Sequence, residues 1–273
     1  MIMRGRVLVI AGSDSGGGAG IQADIKTITA LGGYAMTAIT ALTAQDTNGV
    51  HGVLPVPADF IRQQITLCLA DIGADSIKTG MLGDSITIDA VCDALEAWPG
   101  RLPMVVDPVM SAKGGASLLA DAAVSHLRAR LLPLATVLTP NLPEAEILVG
   151  YAIADQAAMH RAATTLLDLG VPAVLLKGGH LPGDEVVDLL ATRAATQVFR
   201  APRIHSRHTH GTGCTLASAL ATGIAQGLTL ADAVSRARAY VRAAIASAPG
   251  FGAGHGPLNH AALVDNEAIA ALV

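Results

Sequence analysis

"VLVIAGSDSGGGAGIQADIKTITALGGYAMTAITALT", Val7 to Thr43, is the stretch whose reading decides the fold. An apolar run from Val7 to Ala11 enters a glycine-rich loop, a segment near Ile21 to Leu31 has helical spacing, and a second β-rich run follows from Met36 to Thr43. That is a βαβ unit, and the alternation continues. Apolar runs at Ser76 to Met81, Met104 to Asp107, Thr136 to Thr139 and Ala173 to Lys177 alternate with helical periods. Those periods lie near Ala58 to Ala70, Ser85 to Trp98, Leu118 to Leu131 and Gln156 to Leu169. Short, continuously apolar strands suit a parallel sheet covered on both faces. "EVVDLLATRAATQVFRAPRI", from Glu185, reads as a β-hairpin, and two or three alanine-rich helices follow the turn before Cys214. The expectation is one α/β domain, Met1 to Val273, with a central, mostly parallel sheet and helices on both faces.

Composition narrows the function. The chain of 273 residues has a net charge of -4 and lacks the clustered basic face that phosphate neutralisation needs, so a nucleic-acid partner is not expected. No apolar stretch reaches membrane-spanning length. The start, "MIMRGRVLVIAGSD", runs straight into a glycine loop and is not a signal peptide. Three cysteines, an odd number in a large chain, point to reduced thiols in a cytoplasm. Cys68 shares a helical stripe with Ile61, Ile65, Leu69 and Ile72, and Cys92 shares one with Ile88, Val91 and Leu95, so both read as core. Cys214 follows Gly211, Thr212 and Gly213 at a helix start and needs another account.

In open α/β sheets ligands bind outside the carboxyl ends of the strands. Here those ends read "AGSDSGGGAG", "TAQDT", "KTGM", "DPVM", "TPNLPEAE" and "LKGGH", where plain turns would suffice for structure alone. The four lysines, Lys26, Lys78, Lys113 and Lys177, lie in or beside these segments. Lys26 reads equally as solvated surface, whereas Lys177, directly before Gly178 and Gly179, reads as a phosphate contact. No P-loop sequence occurs. "GAGIQA", Gly18 to Ala23, matches a dinucleotide fingerprint with Asp46 further on, which keeps an NAD-binding oxidoreductase as a rival. Against it, "GSDSGG" separates the strand from the first glycine of the match.

"AGSDSGGGAGIQADIKT", "MTAITALTAQDT", "IKTGML", "VVDPVM", "TPNLPEAE", "LLKGGH" and "HTHGTGCTLASALA" together resemble the hydroxymethylpyrimidine and phosphomethylpyrimidine kinases of thiamine biosynthesis, within the ribokinase-like superfamily. The likeness runs in order from about Val7 to Gly250. It implies a homodimer that uses ATP and Mg²⁺ to phosphorylate 4-amino-5-hydroxymethyl-2-methylpyrimidine and then its monophosphate. "TAQDT" departs from the family in having Asp46 where Asn is common, and "DPVMSAKGG" differs at Ser111 and Gly115. Neither departure touches a role named below.

In such enzymes a glycine-bracketed turn opens a helix, its backbone N–H groups form an anion hole, and the next residue acts as general base. Here Gly211, Thr212 and Gly213 would form the hole and Cys214 would be the base. A helix N-terminus stabilises phosphoryl oxygens and can lower a thiol toward neutrality. The plainer alternative is a small residue filling a tight helix start. Asn141 and Glu144, spaced i and i+3, suit oxygen ligation of Mg²⁺ or, as plainly, a capping box. Asp107 is the further acidic metal candidate, and Thr139, Asn141 and Lys177 are the nucleotide-contact candidates.

For the substrate, the Gln45 carboxamide offers a donor and an acceptor in one plane, which complements an aminopyrimidine edge. Asp24 would hold the ring or its hydroxymethyl group, Met81 would cover the ring face, and Gly12 and Val109 would shape the pocket. "SDSGGG" reads as a mobile flap, and the last twenty residues as a surface helix. A pyridoxal kinase on the same scaffold stays open as an alternative, since both substrates are flat heteroaromatics with a hydroxymethyl group. A non-catalytic pyrimidine sensor is disfavoured by the presence of phosphate and metal elements.

Overall fold

The computed structural model describes residues 4–110 and 121–263. Its sheet has nine strands in the order β3-β2-β1-β4-β5-β6-β7-β8-β9. These are β1 (Arg6–Asp14), β2 (Tyr34–Gln45), β3 (Val50–Pro55), β4 (Ser76–Thr79), β5 (Met104–Val106), β6 (Val137–Leu138), β7 (Ala173–Lys177), β8 (Glu185–Thr192) and β9 (Thr196–Pro202). From β2 through β1 to β7 the pairing is parallel, and β3, β8 and β9 add antiparallel edges. The expected alternation and the Glu185 hairpin are both present. β3 was not expected. Val50–Pro55 lies almost wholly at the surface and contains Gly52, so it carries no burial period to read.

Strand β1 shows why the helices sit where they do. Leu8 and Ile10 face one core, packed by α2 (Ala58–Asp71), α3 (Ser85–Glu96), α4 (Asp121–His126), α5 (Leu142–Val149) and α6 (Gln156–Asp168). Val7, Val9 and Ala11 face the other, packed by α1 (Gly20–Ala30), α7 (Thr212–Ala225) and α8 (Leu230–Ala246). Burying each large aliphatic side chain on such a two-faced sheet contributes roughly 1.5–3 kcal/mol, so a continuously apolar strand is stable only with helices on both sides.

Cys92 is buried as expected, while Cys68 is half-buried against the same core and Ile72, at the end of α2, reaches the surface. The helix expected to end at Leu131 finishes in a π-helical turn, Leu127–Leu131. No helix is found in 254–263; the rest of the expected terminal helix, and Ser111, Lys113 and Gly115, lie outside the described residues. Among the described residues no helix is long and apolar enough to cross a membrane.

Candidate active site

The carboxyl ends of the parallel strands surround a cavity of about 530 Å³. Most of the residues singled out from sequence meet there. Gly12, Gln45, Met81 and Val109 line it, as do Asp107, Asn141, Glu144 and Lys177, and the turn Gly211 to Cys214 closes it. Two do not. Thr139 is fully buried beneath the cavity, its hydroxyl 3.4 Å from Asp107 Oδ1. Asp24 is the larger correction: it is fully buried on the inner side of α1, where both carboxylate oxygens accept from Lys78 Nζ at 2.9 Å and Oδ1 accepts from Ser218 Oγ at 2.6 Å. One turn into an amphipathic helix is also a core position, so Asp24 faces a partner rather than a ligand.

The glycine-bracketed turn owes its shape to contact with the first loop. Gly211 caps α7 with φ of +83°, and a side chain there would run into the carbonyl of Gly18. That loop is pinned rather than free. Asp14 Oδ1 accepts from the Gly16 N–H at 2.8 Å, and Oδ2 accepts from Gly18 N–H at 3.1 Å and Ala19 N–H at 2.8 Å. His210 Nε2 reaches the same Oδ2 at 2.8 Å. These contacts count against the dinucleotide reading, because the amides that would bind a pyrophosphate are already taken by Asp14.

A charged group lies at the start of α7. Lys177 Nζ donates to Asp107 Oδ1 at 3.1 Å, and both lie within 4 Å of the place a side chain would occupy at Gly213. The Asn141 and Glu144 pair forms the capping box: Glu144 N–H donates to Asn141 Oδ1 at 2.9 Å and Asn141 N–H donates to Glu144 Oε2 at 2.8 Å. Burial pushes the Glu144 carboxyl up to about 7, with the Asp107 charge adding to burial and Lys177 opposing it. No cluster of three or more metal-ligating side chains occurs among the described residues. Two hard oxygen donors beside a lysine fit a magnesium ion that takes its remaining ligands from water and phosphate.

Cys214 lies on the cavity wall in the first turn of α7, but its thiol departs from expectation. Burial pushes it up to about 12, with Asp24 and Asp107 adding to the rise, while Lys78 and the Gly20 N–H oppose it. Desolvation of the charged form outweighs the helix terminus here. Sequence reasoning gave no role to His210, Asp14 or Lys78. Each stood inside a quoted motif, but only the fold shows that Asp14 meets His210 and that Lys78, paired with Asp24, lines the cavity floor.

A family model described as phosphomethylpyrimidine kinase matches residues 14–259. A hydroxymethylpyrimidine/phosphomethylpyrimidine kinase of Streptomyces coelicolor is 48% identical over 254 residues, covering 93% of each chain. A thiamine biosynthesis bifunctional protein of Geobacter sulfurreducens is 54% identical over 94% of this chain, which spans 52% of that longer relative. Among solved structures, an ADP complex of Bacillus subtilis pyridoxal kinase superimposes with a TM-score of 0.89 at 37% identity, covering 95% of this chain and 98% of that one. The resemblance read from the sequence is borne out: the chain belongs to the phosphomethylpyrimidine kinase family of phosphotransferases and has its ribokinase-like fold.

Proposed function

We propose that this kinase transfers the γ-phosphoryl group of ATP to 4-amino-5-hydroxymethyl-2-methylpyrimidine and then to its monophosphate, in thiamine biosynthesis. One observation carries the proposal: the aminopyrimidine-complementing Gln45, the apolar Met81 and the glycine turn before Cys214 line one cavity with Asp107, Glu144 and Lys177. Met81 packs its thioether methyl against Gly12, where any side chain would displace it, and so presents a flat apolar wall for the ring.

In the first transfer the substrate hydroxyl oxygen attacks the γ-phosphorus, the bond to the β-phosphate oxygen breaks, and ADP leaves. Gly211, Thr212 and Gly213 present helix N-terminal amides to the phosphoryl oxygens, and Lys177 neutralises their charge. Glu144 and Asp107 would hold Mg²⁺, which supplies charge neutralisation on the phosphates. Cys214 accepts the hydroxyl proton late in the transfer, as the small thiolate fraction that Lys78, the Gly20 N–H and the helix terminus sustain. Asn141 shapes the nucleotide side of the cavity from its capping position, and Thr139 supports Asp107 from below. In the second transfer a phosphate oxygen is the nucleophile and needs no base.

The enzyme works in a cytoplasm, where Cys68, Cys92 and Cys214, all free thiols, stay reduced. It pairs as a homodimer through the β3 edge, where Leu42 and Leu54 face each other across the β2–β3 ladder at 44% and 64% exposure. A second reading, phosphorylation of pyridoxal, is favoured by the likeness to the Bacillus subtilis pyridoxal kinase. The deciding experiment incubates the protein with ATP and Mg²⁺ and each of the three acceptors, following products by mass. Pyrophosphate formed from the pyrimidine monophosphate supports the first reading; product from pyridoxal alone replaces it with the second.

A further inference from the structure

We propose that His210 is a positioning residue for substrate recognition: its Nε2–H, held on Asp14, sets the order in which the Gln45 carboxamide presents its donor and its acceptor to a heteroaromatic ring. The inference rests on the aminopyrimidine reading and adds a determinant of specificity to it.

Hydrogen-bond accounting carries the argument. Asp14 is almost wholly buried, and the partners of its carboxylate are the three loop N–H groups and His210 Nε2. Burial works against its charge, but His210 and the loop amides outweigh it and hold the carboxyl below the usual range. An ionised carboxylate only accepts, so the 2.8 Å contact places a hydrogen on His210 Nε2 whether the ring is neutral or charged. A nitrogen that carries its hydrogen in the ring plane has no lone pair to offer. The Gln45 carboxamide atom 3.3 Å away must therefore be oxygen, although its nitrogen occupies that place.

The other end of the carboxamide makes the same demand. Thr43 Oγ1 spends its single proton on the Ser13 carbonyl at 2.8 Å, leaving a lone pair for the Gln45 atom 3.2 Å away. That atom must be a donor. A half-turn about the last side-chain bond satisfies both neighbours, because amide oxygen and nitrogen are alike in shape. Gln45 Nε2 then donates to Thr43, and Oε1 shares the His210 Nε2–H with Asp14. The second amide hydrogen and the second oxygen lone pair remain for the cavity, donor on the Thr43 side and acceptor on the His210 side.

The order is held from the backbone as well. Gln45 N–H donates to Ser15 Oγ at 2.8 Å and the same hydroxyl donates to Gln45 O at 2.9 Å, so the glycine loop and the recognition residue move together. Gly18 leaves room for this arrangement, since a side chain there would come within 2.6 Å of His210 Cδ2. A ring nitrogen beside an exocyclic amine fits one order of donor and acceptor, and a ring lacking the amine leaves Oε1 without its partner.

The test compares wild type with His210→Leu, which removes the donor, and His210→Gln, which keeps one. The substrates are the aminopyrimidine and its analogue lacking the 4-amino group. His210→Leu is expected to raise KM for the aminopyrimidine about tenfold, the worth of one well-placed hydrogen bond, with KM for ATP unchanged. The preference over the deamino analogue should shrink by the same factor, and His210→Gln should restore most of it. Should His210→Leu fail to fold, Asp14→Asn reads the same device, because a neutral amide, whose oxygen stays on the Gly18 and Ala19 N–H groups, holds the histidine hydrogen less firmly than a carboxylate, and the preference over the deamino analogue should fall. Unchanged KM and preference in the folded variants overturn the inference and leave the activity standing. A wild-type protein that neither binds nor phosphorylates the aminopyrimidine overturns both.

Discussion

At the scale of single residues, Cys214 shows how two physical effects compete at one atom. Its place at the start of α7 favours a thiolate, but the surrounding protein holds the thiol protonated, at about 12. The sign follows directly. A thiol raised above its ordinary value is protonated at pH 7, and its thiolate fraction grows tenfold for each unit of pH. With Cys214 as proton acceptor, kcat/KM for the pyrimidine alcohol should therefore rise with unit slope on a logarithmic plot from about pH 8 to 9.5, above the range in which the Glu144 carboxyl, at about 7, loses its proton. Cys214→Ala is expected to lower kcat by about 10²-fold or more, the usual worth of a general base, and to abolish the slope. A pH–rate series on both proteins checks this, and a slope that survives in the variant removes Cys214 from the role.

At the scale of elements, two junctions hold the site together. The first is the buried pair of Asp24 in α1 and Lys78 in β4, with Ser218 of α7 completing it. Removing one partner of a buried pair leaves an uncompensated charge, so Lys78→Met should cost about 3–5 kcal/mol in urea unfolding. Asp24→Asn combined with Lys78→Met should recover part of that loss. The second junction is the contact of Gly211 with the Gly18 carbonyl, where the loop after β1 meets the start of α7. Gly211→Ala is strained by its positive φ and by the carbonyl, and is expected to destabilise by about 2–3 kcal/mol. Because the displaced loop carries the Asp14 clasp that orients Gln45, KM for the pyrimidine should rise in the same variant, measured by steady-state kinetics.

At the scale of the whole molecule, stability should depend on pH through His260, which is buried under α7 against Thr215 Oγ1 at 3.0 Å. Burial, with the Lys26 charge adding to it, pushes its imidazole down to about 4. A histidine depressed in the folded state binds its proton mainly when unfolded. Stability is then fully present above about pH 6.5 and is lost as pH falls toward 4, by up to about 3 kcal/mol. Urea unfolding at pH 7 and pH 5 measures the loss, and His260→Gln should flatten it. The proposed dimer is tested at this scale too: sedimentation should give twice the chain mass, and Leu54→Asp should give a monomer.

Legibility from sequence followed the range of the interactions. The βαβ order, the strand-end chemistry, the capping box at Asn141 and the family itself were readable, because burial periodicity and short motifs are written in neighbouring residues. Cys92 in the core is another such case. Three features came from tertiary structure alone: that Asp24 turns inward to Lys78, that the Cys214 thiol is held protonated, and that Asp14 meets a histidine 196 positions away. Side-chain direction, desolvation and charge pairing depend on what the fold packs around a group, and a linear pattern carries none of these. The sequence by itself thus determined the scaffold and the chemistry at its strand ends, and the packed structure decided how those groups are charged and oriented.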